Sequence, residues 1–302
     1  MTNLLGGRAA IVTGAGRGLG RAYARDLAAA GASVVVNDVD VAEARSVVDE
    51  ITSAGGSAIV SAHDVSDPDA ADALIATCVT AFGGLDGLVN NAGLYHEAQP
   101  WDERPAAMRR AVLVNVLGAM QCQAAASAVM RERGGGAIVN ASSGGMFGFP
   151  SVSTYAATKG ALAALTYSSA LDLEAAGIRV NAISPMALTR MTENALGRGL
   201  APSTKDAPPL AGIDDMRPEA VAPLVTFLLS DLAEGITGQF FRFDGRKVSV
   251  VTTNPFADHP NTSADDWTPR TMAAAFTGPL AAHLQPYGVE RRLPPRQRAT
   301  TR

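Results

Sequence analysis

Tyr155 and Lys159 have the types and spacing of an acid–base pair. They are four residues apart, so on a helix they share one face. A neighbouring ammonium stabilises a phenolate and lowers the tyrosine pKa, so the pair can act as general acid or base. This spacing is common in surface pairs, but the stretch Tyr155–Leu173 is rich in Ala and Leu and poor in charge. A lysine on such a helix therefore favours a chemical role.

Two further polar positions extend this candidate site. Ser142 precedes Tyr155 and can hydrogen-bond a substrate oxygen; Ser143 is a close competitor, and both could simply cap a loop. Asn115 lies in the apolar stretch Ala111–Leu117, where a buried amide must be hydrogen-bonded. The alternative for Asn115 is a purely structural bond to a neighbouring strand.

A glycine-rich turn, Thr13–Gly20, follows the first apolar run and precedes a helical pattern. Glycines allow a tight turn and let backbone N–H groups approach a pyrophosphate, which the helix N-terminus also attracts. Taken alone this pattern is weak, since it also describes an ordinary strand-to-helix loop. Its surroundings strengthen the prediction of a dinucleotide site.

Asp38, at the end of the second apolar run, is the main predictor of cofactor type. A carboxylate there accepts hydrogen bonds from the adenine ribose hydroxyls and repels a 2′-phosphate, so NAD is favoured over NADP. Arg17 could contact a phosphate and argues slightly the other way. Asp64, after the third run, could meet the adenine amino group.

Alternating short apolar runs and longer helical patterns must position these side chains. Strands are predicted at 9–13, 33–37, 58–61, 87–90, 137–141, 179–183 and 240–243, and helices near 18–30, 40–54, 68–82, 104–132 and 153–176. Repeated strand–helix–strand units predict an α/β fold with a doubly wound parallel sheet covered by helices on both faces. We expect one domain over 1–245, with a substrate loop at about 189–216 and a partly irregular C-terminal extension over 246–302.

Composition excludes several classes of function. The chain is 47% apolar and 18% charged, with a formal net charge of −4, so no attraction to nucleic acid is expected. Two cysteines provide no metal or disulfide framework. No run of eighteen apolar residues occurs, so we expect no membrane association and a cytoplasmic protein.

The combined motifs closely resemble those of the short-chain dehydrogenase/reductase family, in its branch of about 250 residues. The resemblance rests on the turn Thr13–Gly20, the run Asn90-Asn91-Ala92-Gly93, Asn115, Ser142 and the Tyr155/Lys159 pair, in that order. It covers the chain from about Arg8 to Gly245. It implies a Rossmann-like sheet of seven strands and a homotetramer or homodimer.

The resemblance also implies roles for individual residues. Tyr155 would be the acid/base, Lys159 would hold the nicotinamide ribose, Ser142 would orient the carbonyl, and Asn115 would support a proton relay. The expected cofactor contacts are Gly14, Arg17, Gly18, Leu19, Gly20, Asp38, Asp64, Val65, Asn91, Ala92, Gly93, Tyr155, Lys159, Pro185 and Thr189. Family members usually have Pro-Gly where this chain has Pro185-Met186, so its nicotinamide loop is expected to differ.

A finer likeness concerns the segment from Ile183 to Thr192. With the regions around Asp38 and Tyr155, it resembles the dehydrogenase half of the peroxisomal multifunctional enzymes, which oxidise 3-hydroxyacyl-CoA with NAD.

The residues expected to border a substrate are apolar and favour a bulky hydrophobic ketone or alcohol, or an acyl chain. They are Tyr95, Met146, Phe147, Met186 and Met191. The alternatives are a 3-hydroxyacyl-thioester dehydrogenase or 3-oxoacyl reductase, and a non-catalytic dinucleotide sensor. The sensor is disfavoured because such proteins typically lose Tyr155 or Lys159.

Overall fold

The computed structural model describes residues 3–187 and 217–252, and within them the predicted parallel sheet is present. The strands are β1 Ala9–Thr13, β2 Ser33–Asn37, β3 Ser57–Ser61, β4 Gly87–Asn90, β5 Gly136–Ala141, β6 Ile178–Pro185, β7 Phe240–Phe243 and β8 Val248–Val250. Their order is β3-β2-β1-β4-β5-β6-β7-β8. The predicted strands differ from these bounds by three residues at most.

The first seven strands run parallel, and β8 returns antiparallel to β7. The expected seven-stranded sheet therefore gains a short edge strand. Gly245, with φ +89°, lies between β7 and β8. The chain thus continues in the same sheet beyond the boundary predicted at residue 245. The rest of the extension, from residue 253, lies outside the described residues, as do 188–216, which include the predicted loop 189–216.

Helices cover both faces of the sheet. They are α1 Gly18–Ala29, α2 Val41–Ser53, α3 Ala70–Phe82, α4 Pro105–Val112, α5 Ala119–Arg133, α6 Ser153–Leu173 and α7 Pro218–Leu229. Side chains of α1, α2 and α7 share one buried cluster with the sheet, and side chains of α3, α5 and α6 share another on the opposite face. Central strands are buried on both faces, as their unbroken apolar runs require.

A π-helical turn, Leu113–Gly118, joins α4 to α5, so residues 105–133 form one long helix. Among the described residues it is the helix that is long and apolar enough to cross a membrane, judged by length and composition alone. Buried core helices of soluble proteins can have the same length and hydropathy. Here Cys122, Ala126 and Met130 are fully buried in the cluster under the sheet, so this is weak support for a membrane span.

The strand order reverses direction between β1 and β4, because the chain builds outward from β1 to β3 and then from β4 to β7. In open α/β sheets, ligands bind in the crevice beyond the carboxyl ends of the strands at this switch point. The tertiary structure therefore predicts the location of the site before any side chain is considered.

Candidate active site

A cleft of about 470 Å³ lies at the switch point and brings the predicted motifs together. Every predicted cofactor contact among the described residues lines it, and Thr189 lies outside those residues. The lining residues are Gly14, Arg17, Gly18, Leu19, Gly20, Asn37, Asp38, Val39, His63, Asp64, Val65, Asn91, Ala92, Gly93, Leu94, Arg110, Val114, Ala141, Ser142, Ser143, Tyr155, Lys159, Pro185 and Ala187.

The glycine-rich turn leaves no room for a side chain at Gly14 or at Gly20. Gly14 has φ +60°, and a Cβ on it would lie 2.8 Å from the Cα of Ala92. A Cβ on Gly20 would overlap the carbonyl oxygen of Gly14. The first turn of α1 begins at Gly18, so its unpaired N–H groups lie beside the cleft. This arrangement fits a pyrophosphate and hence a dinucleotide.

Thr13 and Asn91 hold the turn against the end of β4. The Thr13 hydroxyl accepts hydrogen bonds from the backbone N–H groups of Asn91 and Ala92, both at 3.0 Å. The Asn91 side-chain amide donates to the carbonyl oxygens of Thr13 and Gly14, also at 3.0 Å. Asn91 therefore braces the glycine-rich turn against the end of β4.

Asp38 and Arg17 lie at the end of the cleft above β2. The Asp38 carboxylate accepts from the backbone N–H groups of Gly16 and Asp40, each at 2.9 Å. The Arg17 guanidinium donates to Asp40 at 2.7 Å and to Glu43 at 2.8 Å. The phosphate contact considered for Arg17 thus competes with two carboxylates that the sequence alone did not connect to it.

Asp64 is held by partners on two sides. It accepts from the Ser66 hydroxyl at 2.6 Å and from Arg110 at 3.0 Å. Burial alone would raise the pKa of Asp64, but these hydrogen bonds outweigh it and hold the pKa below its usual value. Val65, which follows, is buried under the π-helical turn, where Gly118 leaves room for it. Arg110, on α4, was not predicted; it donates to Ser66 and Asp64 after β3 and lines the cleft.

Tyr155 and Lys159 lie on one face of α6, as the spacing predicted. The Lys159 Nζ is 5.7 Å from the centroid of the Tyr155 ring and donates to the carbonyl oxygen of Ala141 at 2.6 Å. Burial lowers the pKa of Lys159 to about 8. Burial also raises the pKa of Tyr155, and a hydrogen bond with Ser143 only partly offsets this. Desolvation of the phenolate is therefore the dominant influence on the Tyr155 pKa here, and the lowering expected from the ammonium stays a prediction.

The structure separates the roles of Ser142 and Ser143. The Ser142 hydroxyl donates to the backbone carbonyl of Lys159 at 2.7 Å and so ties β5 to α6. Ser143 instead accepts from the backbone N–H of Gly145 at 3.0 Å, and its interaction with Tyr155 lowers the pKa of that phenol against the effect of burial. Both line the cleft, but the serine predicted to orient a carbonyl has its proton directed into the protein. Successive residues after a strand point in opposite directions, and the sequence did not decide which one faces Tyr155.

Asn115 is fully buried within the π-helical turn. Its Oδ1 accepts from the backbone N–H of Leu94 at 2.7 Å, and its Nδ2 donates to the Leu94 carbonyl at 2.9 Å and to Thr158 at 3.0 Å. It therefore joins the segment after β4 to α6. These contacts reach a loop and a helix rather than the neighbouring strand that the structural alternative named, and the proton-relay role of Asn115 stays a prediction.

The predicted substrate residues are scattered. The Tyr95 ring packs edge-on against Tyr155, with centroids 4.9 Å apart, and its hydroxyl donates to Glu97. Met146 packs against a small core cluster with Phe240, Phe147 is largely exposed, and Met186 lies beside β7. None of these four lines the described cleft, and Met191 lies outside the described residues.

Sequence reasoning missed several residues that line the cleft. Val114 and Ala187 line it with apolar side chains, and His63 lines it beside Asp64. These residues carry no motif of their own, because apolar residues after a strand look like ordinary core. The order of β3, β1 and β4 in the sheet was needed to bring them together.

Residues 14–245 match the family model described as enoyl-(acyl carrier protein) reductase. A hydroxyacyl-CoA dehydrogenase of Mycobacterium tuberculosis is 37% identical over 91% of this chain and 89% of its own length.

Two solved structures share the fold. A short chain dehydrogenase from Mycobacterium avium has a TM-score of 0.80 and 37% identity, covering 97% of this chain and 98% of that one. A 7α-hydroxysteroid dehydrogenase complexed with NADH and 7-oxo glycochenodeoxycholic acid has a TM-score of 0.70 and 32% identity, covering 81% of this chain and 96% of that one.

Proposed function

This chain belongs to the short-chain dehydrogenase/reductase family, whose members are oxidoreductases that act on CH–OH groups, and from that premise we propose that it interconverts a secondary alcohol and a ketone with NAD(H). This proposal rests mainly on the location of Tyr155 and Lys159. Both line the same cleft as the glycine-rich turn, so an acid–base group and a dinucleotide site share one space.

The dinucleotide supplies or accepts the hydride when bound. In reduction, the Tyr155 hydroxyl would donate a proton to the substrate oxygen, and in oxidation the Tyr155 phenolate would accept the proton of the substrate hydroxyl. Ser143, whose interaction with Tyr155 lowers the pKa of that phenol, would donate to the same oxygen. Lys159 would hold the nicotinamide ribose and keep a positive charge beside the phenolate.

Asp38 supports NAD(H) as the cofactor. Its carboxylate lines the cleft at the end of β2, where an adenine ribose would lie. Two backbone N–H groups hold it there, so it presents a fixed negative charge. A 2′-phosphate would be repelled, whereas two ribose hydroxyls could donate to it.

The proposed substrate is a bulky hydrophobic ketone or alcohol, of the hydroxysteroid or hydroxyacyl-CoA type. The apolar residues Leu94, Val114 and Ala187 in the cleft lining support this, and so do the names of two relatives. The likeness of Ile183–Thr192 to the dehydrogenase half of peroxisomal multifunctional enzymes favours the acyl-CoA form. Reduction of a 3-oxoacyl carrier thioester is the second candidate, favoured by the 36% identity of this chain to a 3-oxoacyl-[acyl-carrier-protein] reductase of Staphylococcus aureus.

Assembly and location follow as parts of the same proposal. A homotetramer or homodimer is supported by apolar side chains that remain exposed on the helices α5 and α6, including Met120 and Leu171. A cytoplasmic location stays a prediction from composition.

The decisive test is Tyr155→Phe, assayed with NADH against a panel of ketosteroids and 3-oxoacyl-CoA thioesters. We expect NADH binding to persist while turnover falls by at least about 10²-fold, because the proton donor is lost. NADH absorbance reports turnover, and protein fluorescence reports binding.

Tyr167→Phe is the matched control, since it removes another hydroxyl from α6, and that hydroxyl is buried without a hydrogen-bond partner. It should retain parental turnover. If Tyr155→Phe turns over at the parental rate, the acid–base assignment is wrong. If no ketone is reduced by the parent protein, a non-catalytic dinucleotide sensor becomes the better reading.

A further inference from the structure

Arg17 presents a conflict within the proposed cofactor site. It is the residue before α1 and lines the cleft together with Asp38. A guanidinium in that position favours a phosphate, with which it forms paired charge-assisted hydrogen bonds. Asp38 favours the free ribose of NAD. The side chains that hold Arg17 therefore influence which cofactor the cleft accepts.

Two carboxylates of the adjacent segment hold the guanidinium. The Nη2 of Arg17 donates to Asp40 at 2.7 Å and to Glu43, on the first turn of α2, at 2.8 Å. One Arg17 nitrogen thus serves both acceptors, and their two negative charges exceed its single positive charge. A 2′-phosphate would have to displace these carboxylates or add further negative charge beside them.

We propose that Glu43 is a specificity-determining residue that, with Asp40, holds Arg17 away from the 2′-phosphate position and strengthens the preference for NAD(H). This inference rests on the proposed function. Glu43 is the more informative partner, because Asp40 also caps α2 by accepting from the Glu43 backbone N–H. Changing Asp40 would disturb the helix as well as the ion pair.

The expected effect is modest, because the groups are partly exposed. The side chains of Arg17, Asp40 and Glu43 are 44%, 42% and 40% exposed, so water and salt screen their interaction. Glu43 should therefore have a smaller effect than Asp38 on the preference for NADH over NADPH.

The experiment measures the Kd of NADH and of NADPH for the full chain and for Glu43→Gln, by titration of protein fluorescence. We expect Glu43→Gln to tighten NADPH binding by about fivefold and to leave NADH within about twofold. Arg17→Ala in the Glu43→Gln background should abolish the gain, since Arg17 provides it. Raising the salt concentration should reduce the tightening of NADPH binding in Glu43→Gln, because salt screens the charges involved.

Glu50→Gln is the matched control. Glu50 also lies on α2 and pairs with an arginine of α1, Arg21, at 2.8 Å, but neither residue lines the cleft. This variant should leave the NADH-to-NADPH ratio unchanged. An unchanged ratio in Glu43→Gln, a gain that survives Arg17→Ala, or an equal gain in Glu50→Gln would each overturn the proposal.

Asp38→Ala distinguishes a failure of the Glu43 proposal from a failure of the proposed cofactor. It should narrow the NADH preference whether or not Glu43 is intact, because it removes the ribose acceptor itself. If Asp38→Ala narrows the ratio while Glu43→Gln does not, the role of Glu43 is wrong and the proposed cofactor stands. If the parent protein binds neither dinucleotide, the proposed function fails, and this inference fails with it.

Discussion

The half of the cleft formed by β1–β3 and the half formed by β4–β6 hold their polar groups differently. Above β1–β3, Arg17, Asp40 and Arg110 are partly exposed and are joined by ion pairs. Above β4–β6, Asn115 and Lys159 are almost fully buried and are bonded to backbone carbonyl or N–H groups. Exposed pairs are cheap to change, whereas buried groups are costly to leave unpaired.

This difference has a functional consequence. We expect changes in the β1–β3 half to alter which cofactor binds by modest factors, as proposed for Glu43. Changes in the β4–β6 half should reduce turnover strongly and alter stability as well. The following variants test that division, beginning with the largest expected effect.

Lys159→Met should abolish most turnover, by at least about 10²-fold, because it removes the charge beside Tyr155. Burial lowers the pKa of Lys159 from 10.5 to about 8. Between these pH values the folded state binds fewer protons than the unfolded state, so the stability of the parent rises with pH. Below about pH 8 the buried ammonium carries its full penalty, on the order of 3 kcal/mol.

Lys159→Met should therefore be more stable than the parent at pH 7, since the lost bond to Ala141 costs only about 1 kcal/mol. The advantage should shrink as pH rises towards 10. Urea unfolding at pH 7 and at pH 10 measures this difference in stability. Lys247→Met is the control, because Lys247 is exposed and its loss should change neither turnover nor stability. A variant less stable than the parent at pH 7 would show that the ammonium is stabilising where it lies.

Ser143→Ala should reduce kcat/KM by about 10²-fold, through loss of one hydrogen-bond donor to the substrate oxygen. The hydrogen bond of Ser143 lowers the pKa of Tyr155 against the effect of burial, so its loss should raise that pKa further. The oxidation rate should then require higher pH. Ser142→Ala should mainly lower stability, by about 1 kcal/mol, because it breaks the bond to Lys159 O. If Ser142→Ala lowers kcat/KM more than Ser143→Ala does, Ser142 rather than Ser143 is the substrate contact.

Asn115→Ala should reduce turnover by about tenfold through misplacement of the loop at Leu94. Asn181→Ala is a matched control, because Asn181 is equally buried and also holds a loop by two backbone bonds, to Ile236 and Gln239. Thermal unfolding should show losses of about 2 kcal/mol for each. Equal losses of turnover in the two variants would mean that Asn115 acts only through stability.

Local patterns alone were sufficient for most of the architecture. The helix pattern predicted at 104–132 is continuous in the structure over 105–133, and the strand predicted at 9–13 has identical bounds. Burial on both faces requires unbroken apolar runs, and this requirement is visible in the sequence. The pair Tyr155 and Lys159 was equally predictable, because helical periodicity alone places them on one face.

Tertiary structure decided the features that depend on neighbours distant in sequence. It directed Ser143 rather than Ser142 towards Tyr155, paired Arg17 with Glu43, and placed Val114 and Arg110 in the cleft. It also buried Tyr155, which raises the pKa of the phenol. Periodicity records which face a residue occupies along its own element, whereas desolvation and ion pairing depend on which other elements pack against that face.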